Sequence, residues 1–176
     1  MNKAVFLDRD GVINKAIIKN GKVYSPMNLS EFVFVQNIAE QINKIKDAGF
    51  YIIVVTNQPE IARGSMDIYE LNKMTKNIRD NLPVNQVLIC PHDDADNCSC
   101  RKPKPGMLFD AAKKHEVDLT QSFLVGDGWK DMGAAKNAGC MGILIDTFYN
   151  KDVSCFRRVK NMNEALKIIL NEEEKN

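Results

Sequence analysis

Apolar runs alternate along the chain with stretches whose apolar residues recur at helical spacing. The runs are too continuous for half-exposed antiparallel strands and predict five buried strands, over 3–7, 50–56, 84–89, 122–126 and 142–146. Strands that alternate with helices imply right-handed crossovers and a parallel sheet covered on both faces. The pattern therefore predicts an α/β fold with a doubly wound, Rossmann-like parallel sheet.

Helical periodicity fills the intervals between these strands. Five helices are expected: one on the stripe Ile38, Ile42 and Ile45, ending near Gly49; one on Leu71, Met74, Ile78 and Leu82; one from about Pro105; one over about 131–139; and one over 162–173. Each of these stripes lies on one face of its helix, so each helix is expected to pack on the sheet.

One segment interrupts the alternation. Residues 16–25, AIIKNGKVYS, carry Asn20-Gly21 between two short runs, which predicts a tight β-hairpin after the first strand. Such a hairpin would overhang the carboxyl end of that strand. Neither the interval after the first strand nor residues 58–84 is long enough for an independent cap. We expect residues 1–176 to form a single domain without a large cap domain.

Charge and hydropathy narrow the class of partner. The chain of 176 residues has 24 basic and 23 acidic residues and a net charge of +1. Without a basic stripe, nucleic acid and anionic membranes are not expected partners, whereas a small molecule is. The apolar runs are far shorter than the roughly 20 residues of a membrane span, and the start of the chain does not resemble a secretion signal. We expect a monomer in the cytoplasm.

Acidic residues follow the first strand as Asp8-Arg9-Asp10-Gly11. Residues two apart in extended chain point the same way, so Asp8 and Asp10 can address one ligand while Arg9 points elsewhere. A solvated turn after the strand would give the same bare motif. A second acidic strand end, Gly126-Asp127-Gly128, follows the run at 122–126. Carboxyl ends of strands meet at the ligand crevice of open α/β sheets.

Three carboxylates in one crevice repel each other unless a cation lies among them. Oxygen ligands beside an open position for phosphate suit Mg²⁺. Asp131 either belongs to a second layer of this crevice or is an acid in the first turn of a helix. The triplet Thr56-Asn57-Gln58 ends another strand and offers a hydroxyl and amide donors at the same edge, which fits phosphate recognition. Trp129 either stacks on a substrate or packs in the core.

Three of the five cysteines and one of the two histidines lie within 90–100. Thiolate and imidazole are preferred zinc donors, and a closed set of four predicts a structural Zn²⁺ site formed by Cys90, His92, Cys98 and Cys100. Unliganded loop cysteines and a redox CxC pair are the alternatives. A zinc-bound loop would aim the next two residues, Arg101 and Lys102, at the crevice. Arg101 could instead belong to a solvated basic run.

The segments FLDRDGVIN, VVTNQ, RKPKPG and VGDGWKD resemble, in order, the four motifs of the haloacid dehalogenase superfamily. The resemblance spans about residues 3–146. Within the superfamily the chain is similar to the compact branch that holds histidinol-phosphate phosphatase and D-glycero-D-manno-heptose 1,7-bisphosphate phosphatase.

The resemblance implies a Mg²⁺-dependent phosphatase with an aspartyl-phosphate intermediate. Asp8 would be the nucleophile and Asp10 the general acid and base, which requires Asp10 protonated while Asp8 and Asp127 are ionised. Mg²⁺ would be bound by Asp8, Asp127 and the backbone oxygen of Asp10. Thr56 and Lys102 would stabilise the transferring phosphoryl group, and substrate contacts would come from Asn57, Gln58 and Arg101.

The resemblance implies a small sugar or polyol phosphate as substrate, with heptose 1,7-bisphosphate of capsule or lipopolysaccharide biosynthesis first. Two departures concern the substrate: Pro59-Glu60 stand where the heptose enzymes usually have Ser-Gly, and Gly128 stands where Lys or Arg is common. The alternatives are histidinol phosphate, another polyol or amino-alcohol phosphate, a phosphotransferase, and a zinc-stabilised phosphate-binding module without turnover.

Overall fold

The computed structural model describes residues 1–173, and the side chains of residues 1–171. The strands are β1 (Ala4–Leu7), β2 (Ile17–Lys19), β3 (Lys22–Tyr24), β4 (Tyr51–Asn57), β5 (Gln86–Cys90), β6 (Phe123–Gly126), β7 (Met141–Ile145) and β8 (Arg157–Val159). The helices are α1 (Ile38–Asp47), α2 (Ile68–Asn81), α3 (Gly106–His115), α4 (Trp129–Ala138) and α5 (Met162–Glu173).

Six strands form one parallel sheet in the order β5-β4-β1-β6-β7-β8. The predicted α/β class and all five predicted strands are confirmed. The sequence analysis missed β8, which has three residues of which two are exposed, and so lacks an apolar run. The five predicted helices are present, although α4 begins at Trp129, two residues before its predicted start.

Both faces of the sheet are covered. In β1, Val5 and Leu7 pack in the core layer that α1, α2 and α5 complete, while Ala4 and Phe6 pack in the layer that α3 and α4 complete. All four of these β1 side chains are fully buried. This explains why the strand is uniformly apolar instead of alternating.

The chain winds away from β1 in both directions, through β4 and β5 on one side and through β6 to β8 on the other. This reversal of strand order opens a crevice at the carboxyl ends of β4, β1 and β6. The predicted hairpin is present as β2 and β3, with Asn20 and Gly21 at φ of 51° and 72° as its tight turn requires. None of the helices in the described part of the chain combines the length and apolar character of a membrane span.

Candidate active site

A cleft of about 430 Å³ lies at the carboxyl edge of the sheet. Most of the predicted site residues line it: Asp8, Asp10, Thr56, Asn57, Arg101, Lys102 and Asp127. They come from the ends of β1, β4 and β6 and from the loop before α3, so distant parts of the sequence converge on one crevice. Pro59, Glu60 and Gly128, where the sequence departs from the heptose enzymes, also line it.

Lys102 links two acidic residues in the floor of the cleft. Its Nζ lies 2.8 Å from Asp8 Oδ1 and 2.5 Å from Asp131 Oδ1, and it donates a third hydrogen bond to the backbone oxygen of Val55 at 2.9 Å. Burial lowers the pKa of the ammonium group, but the two carboxylates raise it by more than burial lowers it, so the net shift is upward. Burial and the nearby charge of Asp131 raise the pKa of Asp8 well above its ordinary value.

Asp127 faces the same space from β6. Its Oδ2 accepts a hydrogen bond from the Tyr149 hydroxyl, and its backbone oxygen accepts one from Asn150 Nδ2 at 2.8 Å. Burial raises the pKa of Asp127 to about 6, against the lowering effect of the Tyr149 hydrogen bond. Tyr149 and Asn150 were missed by the sequence analysis, because they follow β7 in an irregular segment with no motif.

Asp8, Asp127 and Asp131 offer carboxylate oxygens that all lie within 4.8 Å of one another. Buried carboxylates this close repel one another, and the donor set of hard oxygens fits Mg²⁺. Asp131 is thus part of the carboxylate cluster. It also accepts a hydrogen bond from the backbone N–H of Gly128 at 3.1 Å, so the helix-terminus interpretation holds as well.

Asp10 is held by a different set of contacts. Its side chain is outside the carboxylate cluster and accepts hydrogen bonds from Arg9, Asn14 and Gln58. Burial, the largest single effect, raises the pKa of Asp10, but the Arg9 charge together with the hydrogen bonds from Arg9 and Asn14 outweighs it, and the net shift is downward. In the metal-free protein the pKa of Asp8 is thus raised and that of Asp10 lowered, and the protonation states expected with Mg²⁺ bound stay a prediction. Arg9 stays out of the cleft as predicted, but its guanidinium turns back onto Asp10.

The side-chain amides of Asn57 and Gln58 form hydrogen bonds within the protein. Asn57 accepts from the backbone N–H of Lys102 and donates to its backbone oxygen, both at 3.0 Å. Gln58 is fully buried, does not line the cleft, and donates to Asp10 and to Thr56. These contacts give both amides a place in aligning the site, and their predicted contact with substrate stays a prediction.

Cys90, His92, Cys98 and Cys100 form a second cluster of donors. The sulfur–sulfur distances are 3.2 to 3.6 Å, and the two thiols nearest His92 lie 3.4 and 3.6 Å from its Nδ1. A tetrahedral zinc ion with bonds of about 2.3 Å places thiolates about 3.8 Å apart. The four side chains therefore fit around one Zn²⁺ with small adjustments, and the cysteines are free, not paired in disulfides.

Arg101 and Lys130 line the side of the cleft next to the cysteine cluster. Arg101 is 7% exposed, and its Nε lies 2.6 Å from Asp94 Oδ1, so it is not part of a solvated basic run. Lys130 Nζ lies 3.9 Å from the same carboxylate. Trp129 is 59% exposed at the rim. Of its two alternatives, packing in the core is therefore wrong, and stacking on a substrate stays a prediction.

Comparison with known proteins agrees with this geometry. A family profile described as polynucleotide kinase 3 phosphatase matches residues 4–167. A D-glycero-beta-D-manno-heptose-1,7-bisphosphate 7-phosphatase of Helicobacter pylori is 37% identical over 143 residues, covering 78% of this chain and 79% of that protein. A D-glycero-alpha-D-manno-heptose-1,7-bisphosphate 7-phosphatase of Campylobacter jejuni is 34% identical over 169 residues, covering 93% of this chain and 94% of that protein.

A solved structure extends the comparison to three dimensions. The D,D-heptose 1,7-bisphosphate phosphatase of B. bronchiseptica, crystallised with magnesium and phosphate, superposes with a TM-score of 0.83 at 29% identity. The superposition covers 97% of this chain and 99% of that one. Nearly the whole fold is therefore shared with that protein.

Proposed function

The chain belongs to the polynucleotide kinase 3 phosphatase family of haloacid dehalogenase-like phosphatases, and from that premise we propose that it removes the 7-phosphate of a D-glycero-D-manno-heptose 1,7-bisphosphate. The observation that carries the proposal is the convergence of Asp8, Lys102 and Asp127 in one cleft. The Campylobacter jejuni heptose bisphosphate phosphatase, which is 34% identical over 93% of this chain, supports the choice of substrate. Relatives named for the alpha and the beta anomer both match, so we propose no preference between anomers.

In the proposed first step, an Asp8 carboxylate oxygen attacks phosphorus and the bond to the sugar oxygen breaks. Asp10 gives its proton to that oxygen, so the oxygen leaves as a hydroxyl group of the sugar 1-phosphate and not as an alkoxide. Both hydrogen bonds that Asp8 accepts, from Lys102 Nζ and from the backbone N–H of Arg9, end on Oδ1, which leaves Oδ2 for phosphorus. In the second step Asp10 takes a proton from water, the water oxygen attacks phosphorus, and the bond to Asp8 breaks to release phosphate.

Positive charge and hydrogen bonds stabilise the transferring phosphoryl group. Lys102 is held as an ammonium ion by Asp8 and Asp131, and the Thr56 hydroxyl lines the same cleft. Asp8, Asp127 and the backbone oxygen of Asp10 would hold Mg²⁺, with Asp131 in reach of the same ion. When bound, Mg²⁺ offsets the charge repulsion between the carboxylate nucleophile and the phosphate ester.

The pKa of Asp10 decides at which point of the reaction cycle its carboxyl group is protonated. In the free site Arg9 and the other hydrogen-bond donors lower the pKa of Asp10 despite its burial, which favours the ionised carboxylate. A phosphate dianion placed beside Asp10 adds negative charge and raises its pKa, so we propose that Asp10 acquires its proton together with the substrate.

We propose that Zn²⁺ is bound by Cys90, His92, Cys98 and Cys100 and orders the loop that carries Arg101 and Lys102. Zinc thiolates need a reducing environment, which supports a cytoplasmic location. We also propose that residues 1–176 act as one catalytic domain, because the residues that line the cleft come from strand ends and loops spread over the chain, and that the protein acts as a monomer.

The test is phosphate release from a panel of heptose 1,7-bisphosphate anomers, histidinol phosphate and polyol phosphates. The proposal requires the highest kcat/KM for a heptose bisphosphate and loss of at least about 1,000-fold activity in Asp8→Asn. A higher kcat/KM for histidinol phosphate would reject the heptose substrate. Transfer of phosphate to an added alcohol in place of water would identify a phosphotransferase. Phosphate release that is no faster with wild-type protein than with Asp8→Asn or with buffer alone would leave only a binding module.

A further inference from the structure

Arg9 heads the largest fully buried side chains, at 1% exposed. It does not line the cleft, so it does not contact the substrate directly. Burial of a guanidinium group costs much hydration energy unless charged partners replace the water. A buried arginine beneath an active site therefore needs a reason other than packing.

Arg9 forms a bidentate ion pair with the carboxylate of the adjacent residue, Asp10. Its Nε lies 3.0 Å from Oδ1 and its Nη2 lies 3.0 Å from Oδ2, which is the two-pronged geometry that fixes the plane of a carboxylate. The guanidinium carbon lies 5.9 Å from the centre of the Phe32 ring. Arg9 Nη1 has no hydrogen-bond partner among the described residues, so the pair with Asp10 accounts for the orientation of the group.

Two more buried donors complete the arrangement. Asn14 Nδ2 lies 2.9 Å from Asp10 Oδ1, and Gln58 Nε2 lies 3.0 Å from Asp10 Oδ2. Asn14 and Gln58 are both fully buried, whereas the Asp10 side chain is 16% exposed and lines the cleft. Four hydrogen bonds from below the cleft thus hold one carboxylate that reaches into it.

We propose that Arg9 is a positioning residue of the phosphatase reaction, which orients Asp10 for proton exchange with the leaving oxygen and then with water. This inference rests on the proposed function, in which Asp10 is the general acid and base. The covalent step at Asp8 does not involve Arg9 side-chain atoms, so the two roles can be separated by the choice of substrate.

The experiment compares kcat/KM for an alkyl ester, heptose 1,7-bisphosphate, with that for 4-nitrophenyl phosphate, whose leaving group needs no proton. General acid catalysis contributes about 100-fold to 10,000-fold. We expect Arg9→Met to lose at least about 30-fold more activity on the alkyl ester than on the aryl ester, and Arg9→Lys to recover part of the difference. Equal losses on both esters would show a merely structural role and overturn the proposal.

A double-mutant cycle gives a second test. In an Asp10→Asn background, Arg9→Lys should change kcat/KM for the alkyl ester by less than about threefold, because Arg9 acts through Asp10. Full additivity would contradict the proposal. Arg9→Lys keeps a positive charge, so the cycle remains usable if Arg9→Met does not fold.

An activity-independent measurement separates this inference from the proposed function. The side-chain amide signals of Asn14 and Gln58 in a ¹⁵N NMR spectrum report on their hydrogen bonds to Asp10. We expect both signals to shift in Arg9→Lys while the backbone signals of distant helices stay in place. If wild-type protein hydrolyses no ester, the proposed function fails; if the amide signals do not move, the positioning role of Arg9 fails on its own.

Discussion

A β-carbon at Gly11 would lie 2.0 Å from Asp127 Oδ2. Gly11 also has a φ of +85°, which side chains rarely adopt. The turn after β1 thus depends on glycine for two reasons, its backbone conformation and the close approach of a carboxylate from β6. This contact lets Asp8 and Asp127 share one cleft.

Gly11→Ala is expected to displace Asp127 and to lower kcat by about 100-fold, the scale of a misplaced group in an active site. The matched control is Gly21→Ala, because Gly21 has a φ of +72° and nothing within 4 Å of an added β-carbon. That variant should keep its activity and lose only about 1 kcal/mol of stability. Steady-state kinetics and thermal unfolding measure the two effects; similar kcat values in both variants would contradict the steric argument.

Lys102→Met should abolish activity and lower the free energy of unfolding by about 3 to 5 kcal/mol. Removing the ammonium group leaves Asp8 and Asp131 buried without their cation, which is the costly way to break a buried ion pair. Lys104→Met is the control, because Lys104 is exposed in the same loop. Urea unfolding without Mg²⁺ measures the difference. A Lys102 variant as stable as the Lys104 variant would mean that the carboxylates do not depend on the lysine.

The order of the strands and helices could be predicted from the sequence, because long apolar runs and helical stripes are local patterns that do not depend on tertiary contacts. The strand β8 could not, since Arg157 and Arg158 are exposed and only Val159 is buried. Its pairing with β7 arises from tertiary contacts that leave no periodic pattern.

The predicted residues of the site converge because motifs at strand ends meet at one edge of the sheet. The partners of those residues were harder to predict. Strand alternation placed Arg9 away from the cleft, but only the folded turn brings its guanidinium back onto Asp10. Tyr149 lies 22 residues from Asp127, and nothing in the sequence links the hydroxyl to that carboxylate.

Cys98→Ser should lower the zinc content below about half an equivalent per chain, because a closed site needs all four ligands. The control is Cys155→Ser, since Cys155 is also a half-buried free thiol but lies outside the cluster. The loss of zinc should also expose the Arg101–Lys102 bond to trypsin and reduce activity, because the loop positions both residues. Metal analysis and peptide mapping check these outcomes. Wild-type protein that folds and is active without zinc would refute a structural zinc site.

The gain in thermal stability that Mg²⁺ gives should increase from about pH 4 to pH 7. In the metal-free protein burial raises the pKa of Asp127 from 3.8 to about 6. Between these values the folded state keeps a proton that the unfolded state has lost, so stability falls as the pH rises, by up to about 3 kcal/mol. Mg²⁺ binds the ionised carboxylates, so it opposes this loss most strongly above pH 6.

Thermal unfolding with and without millimolar Mg²⁺ measures the effect. Asp127→Asn should remove the pH dependence of the Mg²⁺ stabilisation, whereas Asp110→Asn, at an exposed site, should leave it unchanged. A Mg²⁺ shift that is constant with pH would exclude Asp127 as a ligand that titrates in this range.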